Sequence, residues 1–231
     1  MNTDSQIKYG RILILILILL PWTIFIFVSS EKLNSLTKED GVVESIGALF
    51  LLTSAVLFFI TFLKDRDSND LFIIKTSKNY FFLFFAILFF FAFGEELSWG
   101  QRIFNLKAPE ILDEINYQRE INFHNLKIFS EFGLLNANHI ATLLGVTYCL
   151  IIPLLYNKWP FAKKMLNKIN LPIVPAWLSL FILFSYSLSL MLKFGFGYTQ
   201  SATEVKETSI SFLFVIFSIT CLTKDRDKHF D

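Results

Sequence analysis

The sequence predicts an all-α fold: a polytopic transmembrane helical bundle of about six spans, read as one integral membrane domain over residues 1–231. Three observations point there. First, 54% of residues are hydrophobic and only 18% charged, whereas soluble domains carry about a quarter charged residues. Second, the apolar residues, 28 Phe among them, fall in long runs, most of them near the ~20 residues that cross about 30 Å of hydrocarbon. Third, the runs are unbroken, unlike the alternating strands of a membrane barrel. Only helices or closed barrels satisfy every backbone polar group in lipid.

The first run covers residues 12–28, behind Lys8 and Arg11. It lacks the small-residue cleavage motif of a signal peptide, so it reads as an uncleaved first span, kinked at Pro21. The next spans cover 42–63, 80–97, 140–156 and 173–194. The sixth, 210–222, is short and is expected to begin near Thr208. Between spans three and four, Phe123, Leu126, Phe129 and Phe132 recur at helical spacing, with His124, Lys127 and Glu131 on another face. This pattern predicts an interfacial amphipathic helix leading into span four.

Orientation follows from the loops. Thirteen Lys and Arg fall on one side of the six spans and eight on the other, which places both termini in the cytoplasm of a multi-pass protein of the cell (inner) membrane. The Lys158–Lys168 segment, with four lysines and no acid, reads as a cytoplasmic loop. A net charge of +1 gives no electrostatic case for a nucleic-acid partner; the bilayer is the expected partner. Cys149 and Cys221 have no CxxC spacing, so neither a disulfide framework nor a zinc knuckle is indicated.

The polar residues are concentrated elsewhere. Gly94-Glu95-Glu96-Leu97-Ser98-Trp99-Gly100-Gln101-Arg102 continues directly from the Phe-rich third span, where an unpartnered carboxylate costs several kcal/mol. A helix continuing to Arg102 would project Glu95, Ser98 or Trp99, and Arg102 from one side. Alternatively, the charges mark the headgroup boundary and Trp99 anchors it. His124 and Asn125 lie in the loop and His139 at the mouth of span four. Ser201-Ala202-Thr203-Glu204 has the pattern of a helix capping box, with Glu207 one turn on, and Glu44 reads as a first-turn acid of span two. Every one of these acids and histidines falls on the side assigned outside.

Gly94–Arg102 with Asn122–Asn125 resembles a signature, roughly GEExSWGQR followed by NxHN, of bacterial multipass membrane proteins that carry no assigned activity. More weakly, the two glutamates and following histidines are similar to the CAAX-type intramembrane proteases, whose first glutamate activates water. That likeness maps the role to Glu95, with His124 and His139 assisting, although Arg102 stands two residues later than EExxxR requires. Glu95, Ser98, His124 and His139 are also similar in kind to the alkaline ceramidase-like membrane hydrolases, without their HxxxH pair.

Together these readings lead to an expected hydrolase acting on a lipid or membrane-embedded substrate at the extracytoplasmic face. Its catalytic residues are Glu95, Glu96, His124 and His139. Arg102, Ser98, Gln101 and Asn125 bind substrate, and Glu95, His124, His139 and Glu207 are ligands for a divalent metal such as zinc. The alternatives are a non-enzymatic protein binding or transporting an ion or lipid headgroup, and a purely structural polar network.

Overall fold

The computed structural model describes residues 16–38, 41–65, 69–71, 74–76, 78–101, 103–117, 119–123, 126–128 and 137–227. It is almost wholly helical. Helix α1 (Ile16–Phe27) tightens to a 3₁₀ turn over Leu20–Thr23, where Pro21 removes a backbone donor, as the expected kink requires. A short α2 (Ser30–Leu36) leads into α3 (Val42–Lys64). A small hairpin follows, β1 (Asn69–Leu71) antiparallel to β2 (Ile74–Thr76), with Asn69 opposite Thr76. Next come α4 (Tyr80–Glu96) and a six-residue α5 (Glu110–Ile115). Helix α6 runs through residues 137–158 with a π turn at Thr147–Ile151, just before Pro153. The last three are α7 (Pro160–Lys168), α8 (Ala176–Phe196) and α9 (Thr199–Asp227).

Among the described residues, four helices are long and apolar enough to cross a membrane: Val42–Lys64, Ile140–Lys158, Ala176–Phe196 and Thr199–Thr223. Two of the six expected spans fall short of that length. Residues 12–15 of the first lie outside the described residues, and α4 has 17 residues, about 25 Å at 1.5 Å per residue. Of the amphipathic helix expected before span four, Phe129 and Phe132 also lie outside the described residues.

Three boundaries depart from expectation for physical reasons. Helix α9 begins at Thr199, nine residues before the start expected near Thr208. Its polar first turns are held by packing, with Ala202 and Val205 fully buried against Trp22 and Leu192. Helix α8 starts at Ala176 rather than 173 because Pro172 and Pro175 keep the preceding segment out of the helix. The lysine-rich segment expected as a loop is helical in α7, with Pro160 at its first position.

The core is an aromatic knot. Phe58 of α3 is fully buried and meets Phe82, Phe85 and Phe89 of α4 and Phe217 of α9 at centroid separations of 5.3–6.3 Å. Small and hydroxyl residues let the helices approach: the Cβ position of Gly47 lies 3.0 Å from Thr208 Oγ1, and that hydroxyl donates to the Val43 carbonyl at 2.8 Å. Helices α3, α4 and α9 thus form a tight trio. Helix α6 is only 11% buried over its apolar window, against 50% for α9.

Candidate functional site at the α4 C-terminus

Helix packing brings most of the sequence-flagged acids to one end of the bundle. Phe89 lies 4.7 Å from Phe214, ring to ring. Because α4 and α9 run antiparallel, Glu95, six residues on, stands level with Thr208 and with the start of α3.

At this end α4 stops abruptly. Ser98, Trp99 and Gly100 take left-handed backbone conformations (φ 45°, 52° and 78°), which two of the three, as non-glycine residues, adopt only under constraint. The reversal folds the Trp99 indole back over its own helix. A Cβ at Gly94 would lie 2.8–2.9 Å from the ring, so the position requires glycine. Phe91 meets the indole edge-on at 5.5 Å, and Trp99 Nε1 donates to Glu95 Oε1 at 2.8 Å. The side chains of Glu95 and Trp99 therefore do not follow one continuous helix face, and the partly exposed Trp99 ring packs back on α4.

Glu95 is 8% exposed. Its second oxygen accepts the Phe123 backbone N–H at 2.7 Å, and the Phe123 ring stacks on Phe91. A second carboxylate completes the contact. Ser98, buried, donates from Oγ to Glu120 Oε2 at 2.7 Å, and Asn122 Nδ2 donates to the same oxygen at 2.7 Å. Asn116, also buried, donates from Nδ2 to the Asn122 carbonyl and to Asn122 Oδ1, both at 2.9 Å. Gln101 accepts the Ile121 N–H at 2.6 Å and donates to the Arg119 carbonyl at 3.3 Å. The result is a clamp that ties the 116–123 segment across the end of α4, its bonds to the two carboxylates worth about 1.5–3 kcal/mol each and those between neutral amides and carbonyls about 0.5–1.5 kcal/mol.

Glu95, Ser98 and Gln101 thus meet in one network, together with Asn122 of the NxHN-like signature and with Asn116 and Glu120, which the sequence reading did not single out. Their signal was the density of amides and acids in Asn116-Tyr117-Gln118-Arg119-Glu120-Ile121-Asn122. Arg102, His124 and Asn125 lie outside the described residues. His139 sits in the first turn of α6, and its side chain is likewise outside them. Glu96 is half-buried beside Glu95. Glu44 occupies the first turn of α3, as expected. Glu207 is exposed and pairs with Lys206 at 3.1 Å.

The capping box expected at Ser201–Glu204 does not form, because the helix starts two residues earlier. The Ser201 hydroxyl instead lies 2.7 Å from that of Thr37, both buried. Among the described residues, no three His, Cys, Asp or Glu side chains gather as a metal-holding group.

A second feature opens at the same end. Between α1 and α8 lies an apolar cleft of about 500 Å³, lined by residues such as Leu19, Ile26, Leu188, Met191 and Phe196. Trp22, 6% exposed, also lines it. Its indole N–H finds no hydrogen-bond acceptor among the described residues. A buried donor left unmade costs about 1–3 kcal/mol.

In comparisons with known proteins, no family model, curated sequence or solved structure matches this chain.

Proposed function

We propose that this chain is a six-span protein of the cell membrane, with both termini cytoplasmic, that binds a membrane lipid in the cleft between α1 and α8 without turning it over. The observation that carries this reading is the buried, unanswered N–H of Trp22 in an otherwise apolar cleft. In a hydrocarbon environment such a donor calls for an acceptor that arrives on an apolar body. The ester carbonyl of an acyl lipid meets both requirements: its chain fills the space along Leu188 and Met191 while the carbonyl takes the indole proton. In this reading α1 and α4 complete the six spans.

The Glu95 clamp then has a positioning task. Both Glu95 oxygens accept fixed N–H donors, which favours an anchoring role over that of a general base. It holds the 116–123 segment over the end of the bundle that contains the cleft.

Native mass spectrometry of the protein released from nanodiscs tests the reading. Wild type is expected to retain a lipid. Trp22→Phe, which keeps the ring and removes the donor, should weaken retention by up to about tenfold, the worth of one hydrogen bond. Leu188→Trp, which fills the cleft and leaves the donor, should abolish it. A wild type that carries no lipid, or two variants that retain it unchanged, overturns the proposal.

A further inference from the structure

The opposite end of the bundle holds a cavity that none of the residues discussed so far uses. It has a volume of about 390 Å³, within the ~300–1,000 Å³ range of small-molecule sites. It opens where α3 and α6 end and α4 and α8 begin.

Its rim is tied together by side chains. Asp65, the buried residue that ends α3, accepts the backbone N–H of Asn79. Asn79 caps α4 by accepting from Phe81 at 3.0 Å, and its amide donates to the Asn170 carbonyl at 2.7 Å. Asn170 sits at φ +50°, a left-handed conformation that asparagine tolerates better than most residues. Three separate segments are therefore held in register before any ligand arrives, which lowers the entropic cost of binding.

The lining chemistry is specific. Asn157, Asn167 and Asn170 bring side-chain amides, which both donate and accept, and Asp65 brings a carboxylate. Phe82, Tyr156 and Phe217 supply aromatic surface. No Lys, Arg or His is among the described residues lining the space, although lysines crowd the neighbouring α7 at 163, 164 and 168. Helix ends of both signs meet here, the carbonyl ends of α3 and α6 and the N–H ends of α4 and α8, so their dipoles select neither an anion nor a cation. Amide-rich, with a single carboxylate and part aromatic, the lining suits a neutral body carrying many hydroxyls, whose C–H faces can rest on rings while its hydroxyls meet the amides and the carboxylate.

From this we infer that the cavity binds a neutral sugar of about hexose size, presented either free or as the headgroup of a glycolipid. The site lies at the membrane end opposite the Glu95 clamp and stands independently of the lipid cleft.

The test uses the full chain in phosphatidylcholine nanodiscs. One arm adds monoglucosyl diacylglycerol and follows retention by native mass spectrometry. A second adds methyl β-glucoside and follows saturation-transfer NMR, and a third adds phosphatidylglycerol. The variant is Asn167→Leu with Asn170→Gly, which removes two amides and keeps the Asn170 backbone carbonyl and a residue suited to positive φ. Binding of the glucosyl lipid alone identifies a headgroup site, and binding of the methyl glucoside as well identifies a free-sugar site. In either case the double variant should bind at least tenfold more weakly with an unchanged melting temperature. If wild type takes neither sugar, prefers phosphatidylglycerol, or binds sugar as well as the double variant does, the inference is wrong.

Discussion

Glu95 and Gly94 owe their places to a single tryptophan. Trp99 reaches back over Gly94 and donates to Glu95, so two adjacent residues of opposite chemistry are explained by one ring. Gly94→Ala places a methyl inside the indole contact and should destabilise the protein by about 1–3 kcal/mol, the usual cost of overpacking. Glu95→Gln turns an amide donor toward one of two fixed N–H groups and should cost about 1–3 kcal/mol. Thermal melting in detergent measures both. A Glu95→Gln protein that melts like wild type yet loses a measurable turnover would favour the hydrolase expected from the sequence over the clamp. The sequence made the 94–102 cluster conspicuous, because carboxylates rarely follow a phenylalanine run without cause. It could not show that Ser98 and Trp99 are left-handed, since neither residue type advertises positive φ. Without that reversal, the pairing of Glu95 with Trp99 and the reach to residues 120–123 were invisible.

At the level of helices, hydropathy located the apolar stretches to within a few residues and misjudged the polar ones. Helix α9 shows why. Ser209 and Ser211 return their hydroxyls to carbonyls one turn back, at 2.7 and 2.9 Å, so polar residues pack inside a helix without leaving bonds unmade. A hydropathy average counts them against a span. The Ser-x-x-Glu pattern marks Ser201 as a helix cap, yet its hydroxyl crosses to Thr37. A double-mutant cycle on Thr37→Val and Ser201→Ala measures this tie. Each single change should cost about 1 kcal/mol, and the pair should cost less than the sum by a coupling of roughly 0.5–1 kcal/mol. Full additivity would mean the two hydroxyls contribute separately. The same blindness hid α7, whose lysines look like a loop and whose Trp159, Phe161 and Met165 are exposed beside them.

For the molecule as a whole, the alternation of helix directions, together with the loop charges, gives the proposed sidedness. Labelling of intact cells with a membrane-impermeant maleimide checks it. Cysteine placed at Asn105, in the segment after α4, should react from outside, and cysteine at Lys163 in α7 only after permeabilisation. The native cysteines are buried or half-buried and should stay quiet. The reverse pattern would invert the topology and place the clamp inside the cell.

The uneven packing of the bundle has a mechanical consequence. Five interlocked phenyl rings weld α3, α4 and α9 into one block, while α6 touches that block along little of its length and carries a π turn near its middle. Thermal strain concentrates where cohesion is weakest, so breathing motions should part α6 from the welded half, much as a door swings from its frame. Of the two openings described above, the cavity under the end of α6 lies along that seam.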